Sequence, residues 1–126
     1  MPNNTDDLGM IEAALRHAES TSDMINVVNM STTLGNALVR AGRTGDARPH
    51  YQRSAELAQQ YGLIGAESVA REQLGICLAR LGDFAGADAQ FAAAITVAGQ
   101  LDSPKTRESR LAQLAKNRSH AQEMAS

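Results

Sequence analysis

The amino-acid sequence predicts an all-α protein, a solenoid in which antiparallel helix pairs stack side by side. Three observations predict this fold. The 126 residues are rich in alanine but hold only two tyrosines, two phenylalanines and no tryptophan, and an alanine–leucine core favours helices that approach closely. No run is rich in the β-branched and aromatic residues that strands prefer. Shifting the sequence by 40 residues aligns it with itself at positions that packing would require.

The internal repeat is clearest at residues other than alanine. Leu34, Leu74 and Leu114 align, and Tyr51 aligns with Phe91. Further aligned pairs are Gly35 with Gly75, Leu38 with Leu78, Arg40 with Arg80, Gly42 with Gly82, and Ala47 with Ala87. The repeated unit is therefore longer than a single helix.

Six helices follow from this register, in a single domain over residues 1–126. Residues 5–20 form a half-repeat of one helix. The repeat 23–60 holds helices over 23–41 and 44–60, and the repeat 63–101 holds helices over 63–81 and 84–101. A closing helix is predicted over 104–124, after the turn that Pro104 ends.

Each full repeat has the pattern of two antiparallel helices. Leu34 and Leu38 lie four residues apart on one helical face, and Gly35 beside them allows close approach of a neighbour. Gly42 follows the last apolar residue, where a left-handed C-terminal cap is common. Tyr51 then faces back from the second helix. Such a pair cannot bury its apolar faces alone, which favours stacking with the next pair.

This pattern resembles the tetratricopeptide repeat family, strongly over residues 25–101 and weakly at the two ends. The matching positions are Leu34, Gly35, Leu38, Gly42, Ala47, Tyr51 and Ser54, and again Leu74, Gly75, Leu78, Gly82, Ala87, Phe91 and Ala94. The opening aromatic of the family is replaced by Ser31 and Arg71, and its helix-ending proline by Gln59 and Gly99. The long period is similar to that of kinesin light chains and related bacterial proteins.

The resemblance implies a right-handed α-solenoid that binds a peptide or protein segment on its concave surface, as an adaptor, scaffold or regulatory sensor. The first helix of each pair would line that surface. The candidate residues are Asn29, Thr32, Thr33, Asn36 and Arg40, then Val69, Glu72, Gln73, Ile76 and Arg80, and on the closing helix Gln113, Lys116 and His120.

Three of these candidates have a chemical rationale. Asn36 matches a position at which family members hold the backbone of a peptide, and an amide can donate and accept at once. Arg40 and Arg80 suit acidic side chains, although a cation in the last turn of a helix is also stabilised by the helix dipole alone. The family's clamp for a chaperone C-terminus is not expected, because Gln73 and Val69 replace its second asparagine and its lysine.

The sequence gives no reason to expect an enzyme, a cofactor or a metal site. Cys77 lies on an apolar helix without a histidine at a neighbouring helical position. His17, His50 and His120 fall singly on three predicted helices. A catalytic or small-ligand function is therefore the least favoured hypothesis.

Composition and sequence pattern argue against nucleic acid as a general partner and against a membrane-spanning or secreted protein. A net charge of −2 disfavours general binding to nucleic acid. No apolar run is long enough to span a membrane, and the first residues lack the pattern of a signal peptide. With one cysteine, no internal disulfide is possible, so a cytoplasmic location is expected.

Charge at the two ends suggests a second hypothesis, self-assembly into rings or filaments. Residues 1–30 carry Asp6, Asp7, Glu12, Glu19 and Asp23 against Arg16, and residues 104–120 carry Lys105, Arg107, Arg110, Lys116 and Arg118 against Glu108. One chain's closing helix would then dock on the first helix of another to give a homo-oligomer. Polar end helices that cap the stack are the favoured alternative.

Overall fold

A computed structural model describes residues 4–126. This part of the chain holds six α-helices and no strand. They are α1 (Asn4–Ser20), α2 (Met24–Arg40), α3 (Thr44–Gln60), α4 (Ile64–Arg80), α5 (Phe84–Ala98) and α6 (Pro104–Met124). Helices α2, α4 and α6 start 40 residues apart, at Met24, Ile64 and Pro104.

The turns between the first five helices share one backbone geometry. Gly42, Gly62 and Gly82 have φ of 78°, 69° and 88°, and Ser22 takes the same place at 55°. The residue after each turn donates its N–H to a carbonyl five residues earlier, as in the bond from Arg43 to Leu38 at 2.8 Å. This is the Schellman cap, which needs a residue in the left-handed region. It reverses the chain every 20 residues and makes neighbouring helices antiparallel.

The fifth helix ends earlier than the sequence predicted, at Ala98 instead of residue 101. Beyond it, the N–H groups of Gln100 and Leu101 bond to carbonyls only three residues back. The chain therefore tightens into a 3₁₀-type turn, a common way for a helix to end. Ser103 then caps α6 by accepting from the N–H of Thr106 at 3.3 Å.

Each helix packs on the next along the chain, and α4 also contacts α2 and α6. Among the described residues, the backbone of α3 does not pack against that of α1 or α5, although Arg53 of α3 forms an ion pair with Glu19 of α1. The inner surface of the stack is therefore lined by α2, α4 and α6, while α1, α3 and α5 spread apart on the outer side. The core between the two rows includes Leu34 and Leu74, each 4% exposed.

The aromatic rings of the repeat lie in the seams between paired helices, as predicted. Tyr51 and Phe91 are 2% and 0% exposed. A Cβ placed on Gly35 would lie 2.6 Å from the Tyr51 ring, and one on Gly75 would lie 3.0 Å from the Phe91 ring. The two glycines thus let a ring pack directly on the backbone of the first helix.

None of the helices in residues 4–126 combines the length and the hydropathy needed to cross a membrane.

Candidate functional site

Three hollows open along the inner surface, and two of them gather most of the predicted site residues. The first lies between α2 and α4 and has a volume of about 310 Å³. We call it the polar pocket. It is lined by Asn36, Val39, Arg40, Tyr51, Gln73, Ile76, Cys77 and Arg80. Five of the thirteen residues that the sequence singled out for the concave surface therefore meet here: Asn36, Arg40, Gln73, Ile76 and Arg80.

A short hydrogen bond fixes the amide of Asn36 in the polar pocket. The hydroxyl of Tyr51 donates to Asn36 Oδ1 at 2.6 Å. Burial is the main cause that raises the pKa of Tyr51 to about 12, so the hydroxyl keeps its proton. The NH₂ group of Asn36 has no partner among the described residues and remains a donor. The sequence predicted only a packing role for Tyr51. The one sequence signal for its contact with Asn36 is the hydroxyl group, which the aligned Phe91 lacks.

Arg40 and Arg80 flank this pocket as exposed cations. In the described part of the chain, neither forms an ion pair. Both guanidinium groups act on Tyr51, lowering its pKa by less than burial raises it. The pocket therefore combines positive charge and hydrogen-bond donors, which suits a carboxylate.

Cys77 forms part of the floor and is not placed for nucleophilic chemistry. Its thiol is buried and donates to the carbonyl of Thr44 at 3.3 Å. Burial raises the pKa of the Cys77 thiol, against the opposing effect of Arg48 and Arg80. A neutral thiol is a weak nucleophile.

The second hollow lies between α4 and α6 and has a volume of about 230 Å³. We call it the apolar pocket. Its lining residues are Ile76, Ala79, Arg80, Phe91, Asn117, His120, Ala121 and Met124. The ring of Phe91 forms its floor, and Arg80 is shared with the polar pocket. His120, a candidate from the sequence, lies at its rim.

Asn29, Thr32 and Thr33 line the third hollow, together with Val69 across from them on α4. Two of these side chains already have partners within the protein. The Thr32 hydroxyl lies 2.7 Å from Ser54 Oγ in the seam with α3, and Thr33 donates to the carbonyl of Asn29 at 2.8 Å. This end of the inner surface is uncharged and offers fewer free polar groups.

The structure corrects the prediction for Glu72, which does not lie on the open surface. It is 4% exposed, because α6 packs over it. Its carboxylate accepts from Arg110 at 3.1 Å and from Asn117 at 2.8 Å. Both oxygens are therefore satisfied inside the protein, and Glu72 is not available to a peptide.

Lys116 and Gln113 are exposed on α6 but line none of the three hollows. The structure thus does not bring Lys116 together with the other candidates. Gln113 donates to Asn117 on the same helix at 3.2 Å.

Three of the five basic residues proposed for end-to-end assembly are engaged within the chain, since Arg107 donates to the carbonyl of Leu101 at 2.9 Å and two others form ion pairs. Arg110 binds Glu72, and Arg118 binds Asp88 through two hydrogen bonds of 2.7 and 2.9 Å. The bond from Arg118 is the main cause that lowers the pKa of Asp88. At the other end, Glu19 binds Arg53 at 2.8 Å, and the side chain of Asp6 is outside the described residues. The charges left for contact between chains are fewer than the sequence suggested.

Across residues 4–126, no group of three or more His, Cys, Asp or Glu side chains is placed to hold a metal ion.

The stacked helix pairs define a helical-repeat protein, an α-solenoid. The family model described as tetratricopeptide repeat matches residues 26–100. The chain belongs to the tetratricopeptide repeat family, whose members generally mediate protein–protein interactions and are typically not catalytic. A comparison with curated proteins gave no match.

Proposed function

We propose that this protein is an interaction module that binds an extended segment of a partner protein across the inner surface of α2, α4 and α6. The carrying observation is the polar pocket. Asn36, with its free NH₂ group, lines the same pocket as Arg40 and Arg80, two cations without an ion-pair partner in the described chain. Their guanidinium groups are therefore available to a ligand.

The chemistry of the pocket favours a partner segment with acidic side chains. Each arginine offers planar donors to a carboxylate, and the amide adds a further hydrogen bond. The third hollow, with Asn29 and Thr33, extends the same surface and would contact the backbone or small polar side chains of the segment. An adaptor, a scaffold and the sensor part of a regulatory system would all use a surface of this kind.

A random-peptide display library, selected on the full chain, tests the proposal. We expect selected peptides to bind the wild-type protein and to lose at least about tenfold in affinity for the variant Asn36→Ala/Arg80→Glu, because two donors are removed and one charge is reversed. Arg16→Glu, which makes the same charge change at an exposed position of α1, is the matched control and should bind normally. Equal binding by all three proteins would show that the inner surface is not the site.

A further inference from the structure

The polar pocket and the apolar pocket occupy equivalent positions in the fold, one repeat apart. Six lining positions of the first recur 40 residues later in the second. The pairs are Asn36 with Ile76, Val39 with Ala79, Arg40 with Arg80, Tyr51 with Phe91, Cys77 with Asn117, and Arg80 with His120. The stack therefore presents two copies of one binding position to whatever lies across the helices.

The two copies differ in chemistry. In the polar pocket, Tyr51 and Asn36 supply a hydroxyl and an amide. In the apolar pocket, Phe91 and Ile76 take their places, and five of the eight lining residues are apolar. The other three are Arg80, His120 and Asn117, and the amide of Asn117 already donates to Glu72 at 2.8 Å. Within the described chain, no acidic side chain lines either pocket. The first position suits an anionic side chain and the second an apolar one. Its volume of about 230 Å³ exceeds the roughly 150 Å³ that holds a benzene molecule in an engineered cavity.

The spacing of the pockets restricts the conformation of the ligand. One pocket lies between α2 and α4 and the other between α4 and α6, and these helices are in contact. Contacting helices have axes about 8–10 Å apart, so the pockets are separated by roughly that distance. A chain in the polyproline II conformation rises about 3.1 Å per residue and returns to the same side every third residue, or about 9 Å. A β-strand would instead point every second side chain to that side.

We infer that the inner surface recognises an acidic residue and an apolar residue three positions apart in an extended, polyproline II-like segment. The acidic side chain enters the polar pocket between Arg40 and Arg80, and the apolar side chain enters the pocket floored by Phe91. Arg80 separates the two positions, since it lines both. This inference rests on the proposed function and adds to it the spacing and the chemistry of the ligand.

A series of fluorescein-labelled synthetic peptides tests the spacing. Each peptide has a proline–serine background with one glutamate, and a leucine is moved stepwise away from that glutamate on either side. Fluorescence anisotropy with the full chain measures the affinity. We expect the tightest binding with leucine three residues from glutamate on one side, about tenfold tighter than at two or four residues, because only that spacing buries the leucine side chain.

The repeat itself supplies the decisive variant. Ile76→Asn/Phe91→Tyr gives the apolar pocket the amide and hydroxyl of the polar pocket. We expect it to bind the leucine peptide about tenfold more weakly. A peptide with a second glutamate at the leucine position should bind this variant more tightly than it binds the wild-type protein. Met10→Asn, a change at an exposed position of α1 outside all three hollows, is the control. Thermal unfolding verifies that each variant is folded.

The outcomes separate the inference from the proposed function. Two results overturn the spacing inference. One is an affinity that does not depend on the leucine position, and the other is a variant Ile76→Asn/Phe91→Tyr that still prefers the leucine peptide to the peptide with a second glutamate. The spacing inference is also overturned by a series that fails to bind while peptides selected from the library bind. In each of these cases the inner surface remains the proposed site if Asn36→Ala/Arg80→Glu still abolishes binding of the selected peptides. Binding that this variant leaves unchanged overturns both.

Discussion

Tyr51 has two roles at the scale of a single residue. Its ring packs on the backbone at Gly35 and holds α3 against α2, while its hydroxyl reaches past the seam to Asn36 on the inner surface. Phe91 repeats the first role against Gly75 but has no oxygen for the second. At this position of the repeat, one hydroxyl oxygen distinguishes the polar pocket from the apolar one.

The close contact between Gly35 and Tyr51 gives a prediction for stability. In Gly35→Ala the new methyl group would lie 2.6 Å from the ring, so the ring or the helix must shift. We expect a loss of about 1–3 kcal/mol in the free energy of unfolding, measured in urea. Gly45→Ala is the matched control, because a Cβ there meets nothing within 4 Å, and alanine is the better helix former. Equal stability of the two variants would contradict this packing.

His50 gives a prediction for pH dependence. Burial, reinforced by Arg53, lowers the pKa of His50 below the ordinary 6.5, against opposing effects of Glu12 and Asp46. The unfolded chain therefore takes up this proton before the folded chain does. As the pH falls below 6.5, His50 reduces stability until its folded-state pKa is passed. Above 6.5 the imidazole is neutral in both states and this contribution disappears.

We expect His50→Gln to lose less stability on acidification than the wild-type protein does. Urea unfolding at a series of pH values measures this, and the difference between the two proteins should be constant well above pH 6.5. Parallel curves throughout the acidic range would show that His50 is not responsible.

At the scale of elements, the two repeats use different chemistry at the same position. Thr32 of α2 shares a hydrogen bond with Ser54 of α3. Forty residues later, Glu72 of α4 lies in the same register and is paired with Arg110 and Asn117 of α6. The first contact joins the helices of one pair, whereas the second joins successive pairs. This buried ion pair fixes α6 on α4, and α6 in turn completes the apolar pocket.

We predict that Arg110→Met destabilises the protein by about 3 kcal/mol, because it leaves the carboxylate of Glu72 buried without its cation. The Glu72 side chain is only 5% exposed and that of Arg110 22%, so solvent screens the pair weakly. Arg118→Met is the control. Arg118 pairs with Asp88, and their side chains are 33% and 43% exposed, so we expect a much smaller loss because solvent screens the pair. Urea unfolding of both variants measures the two losses. Equal losses would contradict the conclusion that the Glu72–Arg110 pair holds α6 on α4.

At the scale of the whole molecule, the stack has a polar face at α6. Apart from Leu114 and Ala121, the residues of that helix are exposed or half-buried, and Arg118 and Arg110 bind within the chain. This favours the capping hypothesis over end-to-end assembly, since polar outer faces keep solenoids from stacking further.

We therefore expect a monomer in solution. Light scattering over a tenfold range of concentration should give one constant mass, that of a chain of 13.4 kDa. A mass that rises with concentration and falls with added salt would instead support association through the charged end helices.

The sequence by itself determined the all-helical fold, the repeat register and the seams. Helix periodicity and the turn glycines are local or strictly repeated features, so they can be read from residue spacing. The same register placed Asn36, Arg40, Gln73, Ile76 and Arg80 on one side of the stack, where the polar pocket now gathers them.

Only the tertiary structure decided which polar groups remain free for a ligand. Glu72 has the helical position of an inner-surface residue, but α6 covers it and brings Arg110 to it from 38 residues away. The hydroxyl of Tyr51 reaches Asn36 only because a glycine lets the ring approach the helix. Both outcomes depend on how neighbouring helices pack. Periodicity shows which side a residue lies on, but not which other side chains reach it there.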